Sequence, residues 1–186
     1  MFYLFPVAKY RKEVKMSENE KAILLAFEEM FSRQSASIAV TLTFKPRLRA
    51  IKLTERTLGI KLNEYYASDA IRMFLRRLNY AAYDHRFKRK EKQLEVLAVR
   101  EGHSSGIPKH LHYHLSIEIP SGWTANEWCD EAMKAWKKIE WASEDQNTFT
   151  PARDAGWNSY VLKPLDKFGA LESVDVMNCW LNPKES

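Results

Sequence analysis

Apolar residues recur along this chain at two spacings, about 3.6 and about 2 residues, and the changes from one to the other mark out its elements. An S-x-x-E capping signature, Ser17 to Glu20, precedes "KAILLAFEEMF", where Ile23, Leu24, Phe27, Met30 and Phe31 fall at helical spacing. This predicts an amphipathic helix within an N-terminal helical extension over about residues 1–35. "SIAVTLTFKP", rich in β-branched and aromatic side chains and closed by Pro46, predicts a mostly buried strand. In "LNEYYASDAIRMFLRRLNYAAY", Leu62, Tyr66, Ile71, Phe74, Leu75 and Leu78 predict a second helix, with Arg72, Arg76 and Arg77 interleaved.

The charged stretch "DHRFKRKEKQ" leads into "LEVLAVREG", an apolar run of strand length. Turn residues in "HSSGIPK" separate it from the alternating "HLHYHLSIEIP", so the two predict a hairpin. A second capping box, Thr124 to Glu127, opens a helix over "WCDEAMKAWKKIEW". Thr150 as cap and Pro151 in the first turn predict another over "TPARDAGWNSYVLKP". "ALESVDVMNCWLNP" alternates loosely and predicts a final edge strand. This order lacks regular βαβ alternation, and the hairpin demands antiparallel pairing. The expected fold class is therefore α+β, a central antiparallel sheet with flanking helices.

Length and composition narrow this reading without redirecting it. With 186 residues, 45% of them hydrophobic, the chain fits one domain with a proper core. It contains no run of about 18 apolar residues. Its opening apolar patch is too short for a signal peptide, so a soluble, cytoplasmic protein with no membrane partner is expected. Cys129 and Cys179 stand alone, without C-x-x-C spacing, which fits a reducing compartment and gives no metal signal. The 29 Lys and Arg against 24 Asp and Glu permit a polyanionic partner without requiring one.

Candidate chemistry begins with the histidines. In a strand, His110, His112 and His114 share one face, while Leu115, Ile117 and Ile119 point oppositely. Imidazoles two residues apart stand roughly 6 to 7 Å apart along the backbone, close enough to converge on one ion. Glu101, at the end of the partner strand, offers a carboxylate as further ligand, and mixed sites of this kind take zinc, manganese or magnesium. A zinc hydrolase of the H-E-x-x-H kind is excluded, because that motif is absent. His103 reads as a turn residue. Downstream, "WNSYVLKP" puts Tyr160 and Lys163 at i and i+3 on one face of the predicted helix, a potential nucleophile beside a cation.

Three segments in order, "VTLTF" (Val40 to Phe44), "LHYHLSIEIP" and "YVLKP", resemble the three motifs of the HUH endonucleases, in their rolling-circle replication initiator (Rep) branch. The resemblance covers about residues 38 to 165. It implies a ferredoxin- or RRM-like nuclease fold in a single domain over 1–186, with a histidine pair holding Mg²⁺ or Mn²⁺ and a tyrosine that attacks DNA. Carried over, His112 and His114 flank Tyr113 and Tyr160 is the nucleophile. Lys163 would stabilise charge near the tyrosine or the phosphate. Glu101 matches an acidic ligand found in some Rep proteins. His110 is either a third ligand or a bystander, since His110-Leu111-His112 satisfies the motif as well.

Substrate access would be single-stranded DNA, from an origin or a hairpin. Thr41, Thr43 and Lys45 of the first motif region, Arg72, Arg76, Arg77 and the run Arg86 to Lys92 are its candidate contacts; Trp157 is either a base-stacking or a core residue. A host helicase is a further partner the resemblance allows, because no G-x-x-x-x-G-K-[ST] loop, and hence no helicase domain, is present. The implied function is site-specific nicking and strand transfer that initiates rolling-circle replication. A single-tyrosine transposase of the same superfamily and a non-catalytic nucleic-acid-binding module are the alternatives. A relaxase fits less well, since its tyrosine precedes the histidines.

Overall fold

A computed structural model describes residues 25, 36–48, 59–102, 111–152, 157 and 173–180. Four strands form one antiparallel sheet: β1 (Ser37–Thr43), β4 (Val96–Glu101), β5 (His112–Glu118) and β6 (Thr148–Pro151), in the order β4-β5-β1-β6. Two-residue strands β2 (Arg47–Leu48) and β3 (Ile60–Lys61) make a separate small ladder that the sequence pattern is too short to announce. The helices are α1 (Glu64–Tyr83), the single turn α2 (His85–Lys88) and α3 (Ala125–Lys137). Leaving the small ladder aside, β1-α1-β4-β5-α3-β6 with that strand order is the split βαβ arrangement of ferredoxin-like folds. The expected α+β architecture is thus observed.

Alternation builds the sheet's two faces. Ile38, Val40 and Leu42 of β1, Val96 and Ala98 of β4, and Tyr113, Leu115 and Ile117 of β5 all point into the core. Against them α1 lays Ala67, Ala70, Ile71, Phe74, Leu75 and Leu78, and α3 lays Trp128, Cys129, Ala132, Ala135 and Trp136. Trp136 meets both Phe44 and Phe74 edge-on, with centroids 5.4 and 5.6 Å apart, so one ring joins the sheet to both long helices.

The helix starts follow their capping chemistry. The Asn63 side chain accepts the Tyr66 N–H at 2.9 Å, and Thr124 and Glu127 form the reciprocal capping box expected of them. Buried Asn79 donates to Leu75 O and accepts from Leu94 N at 2.8 Å, tying α1 to the chain that enters β4.

Two expectations are corrected. Thr150 and Pro151 do not start a helix but end strand β6, where Thr148 and Thr150 alternate with Phe149 along the free edge of β1. Proline is tolerated there because an edge strand can forgo one N–H. Helical geometry is seen further on, at Trp157. The loosely alternating C-terminal stretch gives two isolated bridges to β4, Val99 with Val174 and Val96 with Trp180, around a 3-10 turn at Val176–Asn178. Asp175 breaks that alternation by turning its carboxylate into the core. Among the described residues no helix is long and apolar enough to cross a membrane. Apart from helical Leu25, the N-terminal extension lies outside the described residues.

Candidate metal centre

The register of the central strands brings the site together. Glu101 is the residue opposite His112 across β4 and β5, and His114 is opposite Thr41 across β5 and β1. The three residues belong to the face turned away from the helices, since Tyr113 between the histidines is fully buried on the core side. Immediately after Glu101 the chain leaves β4 through Gly102 at φ 94°, a conformation that glycine adopts without strain.

Glu101 Oε2 lies 3.2 Å from His112 Nε2 and 3.0 Å from His114 Nε2, and the two imidazole rings meet edge-on at 5.0 Å. One ligand atom from each residue falls within 4.8 Å of the others, so this group could hold a metal ion. Two imidazole nitrogens and one carboxylate oxygen suit a divalent cation that keeps open positions for other ligands. Exposure is graded across the group, from 9% for the His114 side chain through 26% for His112 to 42% for Glu101. The centre is therefore approached from the β4 side, with His114 at its floor.

Protonation favours the same assignment. Burial first, and then the charge of His112, hold His114 below its ordinary value against the opposing pull of Glu101. Burial alone would raise the Glu101 carboxyl, but hydrogen bonds and charge from the two histidines outweigh it and hold Glu101 below its ordinary value. At neutral pH the pair is a neutral imidazole beside an ionised carboxylate, the forms that ligate metals.

The surroundings contain contacts that sequence reasoning missed. Thr41 Oγ1 lies 3.1 Å from His114 Nδ1, so the hydroxyl holds the ring by its other nitrogen. Trp157 donates its indole N–H to Leu115 O at 3.1 Å and sets its ring edge-on to His114, centroids 6.0 Å apart. On the core side, Tyr113 Oη donates to Asp175 Oδ2 at 2.9 Å, and Ser68 and Asn178 donate to the same oxygen. Thr41 meets His114 only through the pairing of β1 with β5, 73 residues apart in the chain. No local signal announces Asp175, which is 62 residues from Tyr113.

Of the residues singled out in the sequence, Glu101, His112 and His114 come together, whereas His110, Tyr160 and Lys163 lie outside the described residues. Thr41 is engaged with His114. Thr43 donates its hydroxyl to Asp145 O, and Lys45 donates to Glu140 O at 3.2 Å. Arg72, Arg76 and Arg77 are exposed on α1, which packs on the opposite face of the sheet, so the fold does not bring them to the histidines. Comparison with protein families, curated proteins and solved structures gave no match.

Proposed function

We propose that this chain is a metal-dependent endonuclease and strand transferase acting on single-stranded DNA, with Tyr160 as nucleophile, in the manner of the rolling-circle initiators its motifs resemble. The observation that carries the reading is the contact of Trp157 with His114. Tyr160 follows Trp157 by three residues, and three residues span at most about 11 Å even fully extended. A nucleophile three residues from a ring that touches His114 is what this reading requires, and the contact supports it. Tyr113, the tyrosine between the ligands, is unsuited to the role: burial and the Asp175 charge push its hydroxyl well above the usual range, on the wrong face of the sheet.

Glu101, His112 and His114 would hold Mg²⁺ or Mn²⁺, which when bound supplies charge neutralisation at a non-bridging oxygen of the scissile phosphate. Tyr160 Oη forms a bond to phosphorus as the bond to the 3′ oxygen breaks. The tyrosine gives up its proton and the 3′ oxygen gains one. The 5′-phosphotyrosine link conserves the phosphodiester energy, so the strand can be rejoined without a nucleotide cofactor. Lys163 stabilises the charge that develops near the tyrosine. Such a reaction can start rolling-circle replication of a plasmid, phage or integrated element.

The test is a pool of labelled single-stranded hairpin oligonucleotides incubated with the protein and Mn²⁺. A covalent adduct that survives denaturation is expected, and it should vanish with chelator, in Tyr160→Phe, and in the His112→Ala, His114→Ala double variant. An adduct that persists in Tyr160→Phe refutes the nucleophile. Salt-sensitive binding with no adduct from any oligonucleotide would mean a binding module instead.

A further inference from the structure

Two stretches of this chain are strongly positive, residues 45–61, with six Lys and Arg against Glu55, and residues 69–92, which form a continuous helical surface. Residues 69–92 hold eight Lys and Arg against three acids, Asp69, Asp84 and Glu91. That is a balance of +5. The segment comprises most of α1, all of α2 and the turn beyond it. Because α1 turns Ile71, Phe74 and Leu78 onto the core face of the sheet, its cations project to solvent, and the sheet lies between them and the metal cluster.

Two of the eight are neutralised, Arg72 by Asp69 and Arg89 by Glu91. Arg76, Arg77, Arg86, Lys88, Lys90 and Lys92 form the rest of the surface. Outside the core, the aromatic rings of this segment, Tyr80, Tyr83 and Phe87, are half-buried. Tyr80 meets Phe87 edge-on at 5.1 Å, and Arg76 and Lys88 each lie 5.7 Å from its centroid; Lys92 lies 4.9 Å from that of Tyr83. These contacts hold the cations in place and occupy the rings within residues 69–92; the exposed rings nearby, Tyr65 and Trp180, lie outside this segment. Sequence-independent single-strand binding depends on stacking platforms, whereas a duplex is held through its phosphates by positioned cations.

We propose that the α1 and α2 face is a second nucleic-acid surface, which grips the backbone of double-stranded DNA without reading its sequence, on the side of the sheet opposite the metal centre. The choice of DNA over RNA rests on the function proposed above; the surface itself does not. One molecule could then hold the stem of a structured origin on its helices while a single strand reaches the histidine face.

The experiment measures binding of the full chain to a labelled duplex of about 20 base pairs in EDTA, over a series of salt concentrations, by fluorescence anisotropy. Substituting Arg76→Gln, Arg77→Gln, Lys88→Gln and Lys90→Gln together should lower duplex affinity tenfold or more and flatten the log–log salt slope by about 3 to 4. The Arg76→Gln, Arg77→Gln pair alone should give about half that change in slope. Single-strand binding and adduct formation with Mn²⁺ should stay within about threefold, because the metal centre lies on the other face of the sheet. No duplex affinity in the unmodified protein, or none lost in the variants, overturns the proposal. So does an equal loss of single-strand binding, which would mean one shared surface. Weak duplex binding alongside tight, charge-dependent binding to phosphatidylserine vesicles would identify a membrane surface instead. Duplex binding lost in the variants, in a protein that forms no adduct, leaves this inference intact and removes the nicking function.

Discussion

Thr41 Oγ1 stands 3.1 Å from Nδ1 of His114, whose other nitrogen, Nε2, lies 3.0 Å from Glu101. A hydroxyl can donate or accept, so it satisfies either tautomer of the ring. With Nε2 as a metal ligand, Nδ1–H donates to Thr41. Without metal, Nε2–H donates to the carboxylate and Thr41 donates to Nδ1. The threonine thus holds the ring in one orientation through both states.

Removing that hydroxyl should loosen the centre without emptying the core. Thr41→Val is expected to weaken Mn²⁺ binding about tenfold or more, the usual scale for losing the outer partner of a ligating histidine. Thr41→Ser should keep most of the affinity. Calorimetry or the signal of free Mn²⁺ in electron paramagnetic resonance reads this directly. Equal affinities in all three proteins would show that Thr41 does not orient the ring.

Tyr113 and Asp175 secure the same strand from behind. One carboxylate oxygen receives Tyr113 Oη, Ser68 Oγ and Asn178 Nδ2, and Asp175 is only 8% exposed. Asp175→Ala strands three donors and should destabilise the fold by about 3 kcal/mol, while Tyr113→Phe should remove about 1 to 2 kcal/mol. In urea melts the double variant should fall short of the sum, since both changes break the same bond. Additive losses would count against a shared network.

Much of this arrangement was legible in the sequence because period-2 alternation fixes faces. Once β4 and β5 read as a hairpin, Glu101 fell at the end next to the histidines, and Tyr113 fell on the opposite side. What stayed hidden was set by long-range pairing. Thr41 meets His114 across 73 residues because β1 enters between β5 and β6, a strand order that no local pattern encodes. Thr150 and Pro151 show the same limit. A Thr-Pro pair carries helix-start chemistry, but the unfilled edge of β1 captured it as strand. The cations of α1 were legible as charge, though not as belonging to the face away from the histidines.

The two cysteines should be chemically silent. Cys129 is buried in the core, where burial and then the neighbouring Asp130 charge raise its thiol. Burial pushes Cys179 up to about 12, and its Sγ accepts the Ala98 N–H at 3.3 Å. Since the thiolate is the reactive form, a colorimetric disulfide reagent at about pH 8 should label neither residue in the folded protein and both in denaturant. Rapid labelling of the native chain would show that one of these segments opens readily.

Acid should weaken the metal-free protein through His114. Burial and the His112 charge hold this imidazole below its ordinary value of 6.5, so between the folded value and 6.5 the unfolded chain binds more protons there than the folded chain. Stability therefore rises with pH across that window and is lost as pH falls below 6.5. Glu101 acts in the same direction at lower pH, because its folded value lies below 4.5 and its contribution disappears as the carboxylate is protonated. Urea midpoints measured in EDTA at about pH 7.5 and about pH 5 should fall with acid, and the fall should be smaller in His114→Asn, which has no imidazole to charge. If both proteins lose the same stability over that range, the buried imidazole is not what the acid titrates.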